Sequence, residues 1–306
     1  MPTRSTSFKA GSGLQSLAPD FVPNTPAGLS RCVQRWGITL EEPYADVYPG
    51  NLVYRCALRD GTPAVIKTEP DRLADDEFLP GLDALLLYRG RGMVRVLEAA
   101  RDDRVVLMER VVPGETLWHG PIDDALEAIA SVMTKLRAVP PKGHSFPDVR
   151  SHHRAWPNHR RLYGGTGPID ADLFEIGERV FIELCDSSAA PVVLHGDLHY
   201  GNVLSSDREG WLAIDPKGVV GEPSYEVGDL FRNRVDELDE SSDPVRAMRR
   251  RVETVADLTG FDRERIRGWA LAQAVLSEVW TADEPARASH VDLRAARLLH
   301  SIGPLG

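Results

Sequence analysis

Residues 192–204, VVLHGDLHYGNVL, set two histidines, an aspartate and an asparagine between two apolar runs. Asp197 leaves an apolar strand on a loop, Asn202 follows five residues later, and Asp215 ends the next apolar run, WLAID. That spacing brings three oxygen-bearing side chains to strand ends. Two carboxylates and an amide carbonyl are hard ligands suited to Mg²⁺, which keeps several waters and shares its shell with substrate phosphates. A carboxylate not taken by metal could instead accept a hydroxyl proton and orient that oxygen for in-line attack on a phosphoryl group. Such a transfer also needs a cation on the donor's phosphates, and AVIK ends a β-rich run on Lys67. No GxxxxGK[ST] stretch occurs, which removes the P-loop as a rival architecture.

The elements that must position these residues fall into two halves. Thr25-Pro26 reads as the start of a helix carrying Leu29, Cys32, Val33 and Trp36 at helical spacing up to Gly37. LVYRCAL and PAVIK are short strands around Asp60-Gly61, a strong hairpin signal, and MVRVLEAA and RVVLMER form a second pair around Asp102-Asp103. Between the pairs, residues 74–89 have a helical pattern that Pro80-Gly81 should kink or delay. VVPGETL then punctuates the chain, and the remainder is helical in period at 122–138, 170–186, 244–258, 263–280 and 284–300, interrupted by one β-like island at 192–218. The pattern predicts an α+β fold with a flexible start at 1–24, a small antiparallel-sheet lobe at 25–112 and a mostly helical lobe at 113–306.

Composition bounds the partners. At 306 residues, with net charge −10, the chain disfavours nucleic acid, whose phosphates select basic faces, and is compatible with cationic substrates. Three separated cysteines outside any CxxC pair fit reduced thiols of a cytosolic protein, and no apolar run is long enough for a leader or a membrane span. Residues 222–240 hold seven acidic and two basic side chains. They read either as a solvated helix surface or as a wall whose Glu222, Glu226 and Asp229 capture guanidinium or ammonium groups, with Glu278, Trp280, Asp283 and Glu284 completing it. His195 and His199 read as holding their loop through backbone bonds. His152, His153 and His159 lack the companions of a metal site and read as an exposed loop or substrate lid.

HGDLHYGN, IDPKG and AVIK resemble the catalytic loop, metal motif and nucleotide lysine of the aminoglycoside phosphotransferase family, a branch of the two-lobe protein-kinase-like fold. GRGMVRVLEAARDDRVVLMERVVPGETL, GWLAIDPKGVVGEPSYEVGDL and LSRCVQRWGI look like its streptomycin 6-kinase and hydroxyurea-resistance subgroup, over roughly residues 27–300. Lys217, where eukaryotic protein kinases place a Phe, also fits the small-molecule branch. The resemblance implies that Asp197 is the catalytic base, Asn202 and Asp215 bind Mg²⁺, and Lys67 anchors the ATP phosphates. It further implies a carboxylate partner for Lys67, with Glu77 ahead of Asp76 and Asp83. Gly50 becomes the one glycine of the phosphate-covering turn, and the backbone from Glu109 to Val111 would read the base. The implied protein is a cytoplasmic monomer or homodimer that phosphorylates a small cationic acceptor of the streptomycin type. A metabolic kinase for an amino sugar, choline or a related alcohol is the alternative acceptor reading, and a nucleotide-binding pseudoenzyme the alternative without chemistry.

Overall fold

The computed structural model describes residues 26–45, 51–69, 76–188, 190–281 and 291–305. Residues 1–24, Gly50, Asp283 and Glu284 lie outside them. The chain divides into two compact units, Met1–Pro70 with Glu98–Met108, and Asp71–Leu97 with Glu109–Gly306.

The first unit is a sheet with one helix. α1 (Ala27–Trp36) buries Leu29, Cys32 and Val33, one stripe at helical spacing, and ends where Gly37, at φ 64°, turns its N–H back to Val33 O. The sheet is β1 (Thr39–Pro43), β2 (Leu52–Ala57), β3 (Pro63–Thr68), β4 (Val96–Ala100) and β5 (Val105–Glu109), in the order β1-β2-β3-β5-β4. In the β2–β3 hairpin, Asp60 Oδ1 accepts the Thr62 N–H at 2.9 Å, and the register sets Tyr54 against Ile66 and Cys56 against Ala64. Those four residues share one face, and the core they make with α1 also holds Ile38, Val105 and Leu107. Period-two alternation then turns Lys67, paired with Val53, to the opposite face.

The second unit contains α2 (Phe78–Tyr88), α3 (Ile122–Lys135), α4 (Ala155–Tyr163), α5 (Ala171–Asp186), the four-residue α6 (Asp229–Arg232), α7 (Pro244–Thr259), α8 (Arg263–Thr281) and α9 (Val291–Ser301). Two small sheets sit among them: β6 (Pro113–Thr116), β8 (Val203–Ser206) and β9 (Gly210–Ala213) in the order β6-β8-β9, and β7 (Val192–Leu194) antiparallel to β10 (Val219–Gly221). α8 is buried almost all round from Ile266 to Val279, as suits the central helix of a large core. An aromatic ladder crosses it, with Trp156 to Phe181 at 5.1 Å, Phe181 to Trp269 at 5.6 Å and Tyr225 to Trp269 at 5.0 Å between ring centres. No helix among the described residues is long and apolar enough to cross a membrane.

One local expectation changes. The histidine-rich segment is not an exposed loop or lid: a 3₁₀ turn (Val149–Arg154) leads into α4, because Trp156 and His159, three residues apart, both turn into the core. Of the two outcomes expected at Pro80-Gly81, a kink or a delay, the structure has the delay: α2 begins only at Phe78 and Pro80 occupies its first turn, where a missing N–H costs nothing.

Candidate active site

β7 is fully buried and delivers the chain at His195, around which two loops are tied together. The His195 ring, wholly buried, donates from Nε2 to Ile214 O at 2.8 Å and accepts the Asp197 N–H on Nδ1 at 3.3 Å. Those partners fix a neutral ring, and burial pushes its pKa down to about 4. His195 O accepts the N–H groups of Lys217 at 2.7 Å and Gly218 at 3.1 Å, while the Ile214 N–H reaches Asn202 O at 2.9 Å. Loop 195–202 and loop 214–218 are therefore one hydrogen-bonded body.

Its floor is Glu226. This carboxyl, 5 % exposed, accepts the N–H of His195 on Oε2 at 2.6 Å and of Gly196 on Oε1 at 2.8 Å. Burial pushes its pKa up to about 8 against the pull of those two bonds, with Asp229 and Asp197 adding to the rise.

Asp197, half-buried, stands two residues beyond His195. Burial and then the charge of Asp229 push its carboxyl up from the ordinary range, while His199, Lys217 and Arg232 pull it down. The Asn202 amide nitrogen donates to Asp197 O at 2.9 Å, so its side-chain oxygen, the atom a hard cation would use, points away from that bond. Asp215 sits at φ 58°, a left-handed conformation that an aspartate tolerates, on the turn directly after β9. An amide oxygen and one carboxylate on one hydrogen-bonded body fit Mg²⁺ sharing phosphate oxygens; no cluster of three or more His, Cys, Asp or Glu among the described residues suggests a metal cage instead. His199, like His195, bonds backbone, accepting the Gly201 N–H on Nδ1 at 2.9 Å.

Glu222, Glu226 and Asp229, the acids expected to form the wall, do not face outward. Glu222, 2 % exposed, accepts from Arg265 at 2.5 and 2.9 Å, from Ser224 at 2.5 Å and from Trp269 Nε1; burial works against its ionisation, but these donors outweigh it and hold the carboxyl low. Asp229 is bound by Arg232 at 2.6 and 2.5 Å, and Glu278 is 2 % exposed on α8. Glu222 and Glu226 are thus corrected from acceptor ligands to internal braces: a buried carboxylate must be paired, and the fold supplies the partners. Arg265 and Arg232 went unread in the sequence, where an arginine on a helix carries no sign of its partner.

Of the residues expected to bind nucleotide, Lys67, 8 % exposed on β3, forms an ion pair with Glu69 at 2.5 Å in the first unit. Glu77, just before α2, forms one with Lys217 at 2.6 Å in the second. Glu109 ends β5, its carboxylate accepting from the Arg95 N–H at 2.9 Å and Arg208 at 2.7 Å, with Val111 two residues on.

The family model described as aminoglycoside/hydroxyurea antibiotic resistance kinase matches residues 35–285. A streptomycin 6-kinase of Streptomyces glaucescens is 30 % identical over 86 % of this chain and 85 % of its own. A hydroxyurea phosphotransferase of Kitasatospora aureofaciens is also 30 % identical, over 87 % and 75 %. Among solved structures, the choline kinase LicA of Streptococcus pneumoniae superposes with a TM-score of 0.62 at 15 % identity, covering 89 % of this chain and 98 % of that one. Aminoglycoside phosphotransferase APH(4)-Ia, as a thermostable mutant with ADP and hygromycin B, gives 0.61 at 15 % over 92 % and 100 %. At such identities the likeness shows the fold, and only the fold.

Proposed function

Since the chain belongs to the aminoglycoside/hydroxyurea antibiotic resistance kinase family and has the protein-kinase-like α+β fold, we propose that it transfers the γ-phosphoryl of ATP to a hydroxyl of a streptomycin-type aminoglycoside. The observation that carries this reading is the single body formed by loops 195–202 and 214–218, with Asp197, Asn202 and Asp215 on it.

Asp197 accepts the acceptor's hydroxyl proton as the oxygen attacks phosphorus. The new O–P bond forms as the bond to the bridging oxygen breaks, and ADP leaves with that oxygen. A carboxyl whose pKa is raised is the stronger base for the task. Asn202, through its amide oxygen, and Asp215 would hold Mg²⁺, which when bound neutralises charge on the donor's phosphates. Lys67 would anchor those phosphates, with the Glu109–Val111 backbone at the base.

A small neutral acceptor, of the kind in the name of the hydroxyurea phosphotransferase relative, is the second reading. It is favoured by the internal pairing of Glu222, Glu226 and Asp229. The deciding experiment measures ADP release with streptomycin, other aminoglycosides, choline, an amino sugar and hydroxyurea, with the product identified by mass spectrometry. Streptomycin should turn over and Asp197→Asn should lose about 10²–10⁴ in kcat. Turnover of hydroxyurea alone would install the second reading, and an active Asp197→Asn would remove Asp197 as base.

A further inference from the structure

The Asp197 carboxyl feels three positive or potentially positive neighbours, His199, Lys217 and Arg232. Two are committed. Arg232 is held by Asp229 at 2.6 and 2.5 Å, donates to Ser277 Oγ at 3.3 Å and lies 3.9 Å from Asp292. His199 spends Nδ1 on the Gly201 N–H at 2.9 Å. Lys217 differs. Its ammonium bonds Glu77 at 2.6 Å, and that carboxylate is half exposed, so the pair is the kind that exchanges readily for another anion.

The backbone beneath Lys217 cannot move with it. Its N–H is fixed on His195 O at 2.7 Å, and at the next residue, Gly218 (φ 68°), a Cβ would stand 2.2 Å from Pro80 O. A Cβ at Gly81 would likewise stand 2.3 Å from Pro216 O, so the start of α2 and loop 214–218 pack backbone against backbone. Only the lysine side chain is left to swing, on a four-carbon stem that starts against Gly196, the residue before Asp197, where a Cβ would stand 3.3 Å from Lys217 Cβ.

We propose that Lys217 is a catalytic lysine whose ammonium donates to the oxygens of the phosphoryl group in transit to the hydroxyl held by Asp197, with Glu77 holding it in place until phosphate arrives. The inference rests on the phosphotransfer reading above and adds to it a cation on loop 214–218, separate from Lys67.

The test uses Lys217→Met and Glu77→Gln in the full chain, with Lys217→Gln as a second neutral variant should the Met protein not fold. Melting temperature, calorimetric affinity for ADP and for its γ-phosphate-bearing analogue AMPPNP, and kcat are measured. Lys217→Met should lose about 10²-fold in kcat, the scale of one preorganised donor. It should bind ADP normally and lose whatever extra affinity AMPPNP has over ADP. Glu77→Gln should lower the melting temperature about as much but keep that extra affinity. If both variants affect ADP and AMPPNP alike, or if Lys217→Met keeps near-normal kcat, Lys217 is only a strut between α2 and the loop. A wild-type protein that binds neither nucleotide overturns the phosphotransfer reading, and the proposal with it.

Discussion

Glu226→Gln is the most incisive perturbation of this site, because it alters one atom of a buried group that holds the loop before Asp197. In the wild type two backbone N–H groups, 2.6 and 2.8 Å away, point at two carboxyl oxygens that are sealed from water. Protonation, favoured by the pKa of about 8, leaves both oxygens with lone pairs; the amide nitrogen of glutamine has none to offer. One buried N–H then loses its partner, at a cost of about 1–3 kcal/mol. With about 2–4 °C of melting temperature per kcal/mol in a protein of this size, the expected fall is about 2–12 °C. The orphaned amide belongs to His195 or Gly196, next to Asp197, so the loop shifts and kcat should fall by up to about 10²-fold with little change in ATP KM. The pH dependence has a definite sign. The folded-state pKa is raised from 4.5, so the stability contributed by the protonated form is complete below about pH 4.5 and is lost as pH rises through about 8. The wild-type melting temperature should decline across that alkaline range, and the Gln variant should not share the decline. Scanning fluorimetry from pH 6 to 10 with steady-state kinetics decides it, and a variant matching wild type in melting temperature and kcat would refute the bracing role.

Because burial and Asp229 push the Asp197 carboxyl up, the acid limb of the kcat–pH profile should lie above the ordinary aspartate value of 3.8, activity being lost as pH falls through the raised pKa; Asp229→Asn should move that limb to lower pH, and an unmoved limb would separate the two groups. With Glu222 and Asp229 paired to arginines, added salt should change the acceptor KM by less than about twofold, whereas an open acidic wall would show a steep rise as it is screened.

The parts legible in the sequence are those whose cause is local. α1, α3, α5, α7 and α8 follow from apolar spacing, and the β2–β3 hairpin from Asp60-Gly61, whose aspartate bonds Thr62 as such turns do. Asp197, Asn202 and Asp215 were readable as a group because each lies at the edge of an apolar run, which becomes β7, β8 or β9. What was not legible depends on partners far along the chain. Glu222 and Arg265 are 43 residues apart, Glu77 and Lys217 140, and neither helical nor strand periodicity carries such pairings. β1 and β6 were missed because TLEEP and PGET have no strand composition, and neighbouring strands impose their conformation. α4 was missed because histidines and arginines hide the apolar face that Trp156 supplies.

The acidic stretch shows why counting charges misleads about a site. Seven acidic against two basic residues reads as an anionic surface only if each carboxylate meets water. Where three of them are buried, ionisation must be supported or given up, and the structure does both: Arg265 and Arg232 support Glu222 and Asp229, while Glu226, with only amides to help it, holds its proton up to about pH 8. The Asp197 carboxyl is left raised, by burial first and then by Asp229, against the pull of His199, Lys217 and Arg232. A base poised this way gains affinity for a proton from burial without being neutralised in advance by an uncompensated anion beside it. That balance depends on arginine partners staying put, so the residues that tune the base are the ones the composition makes look most expendable.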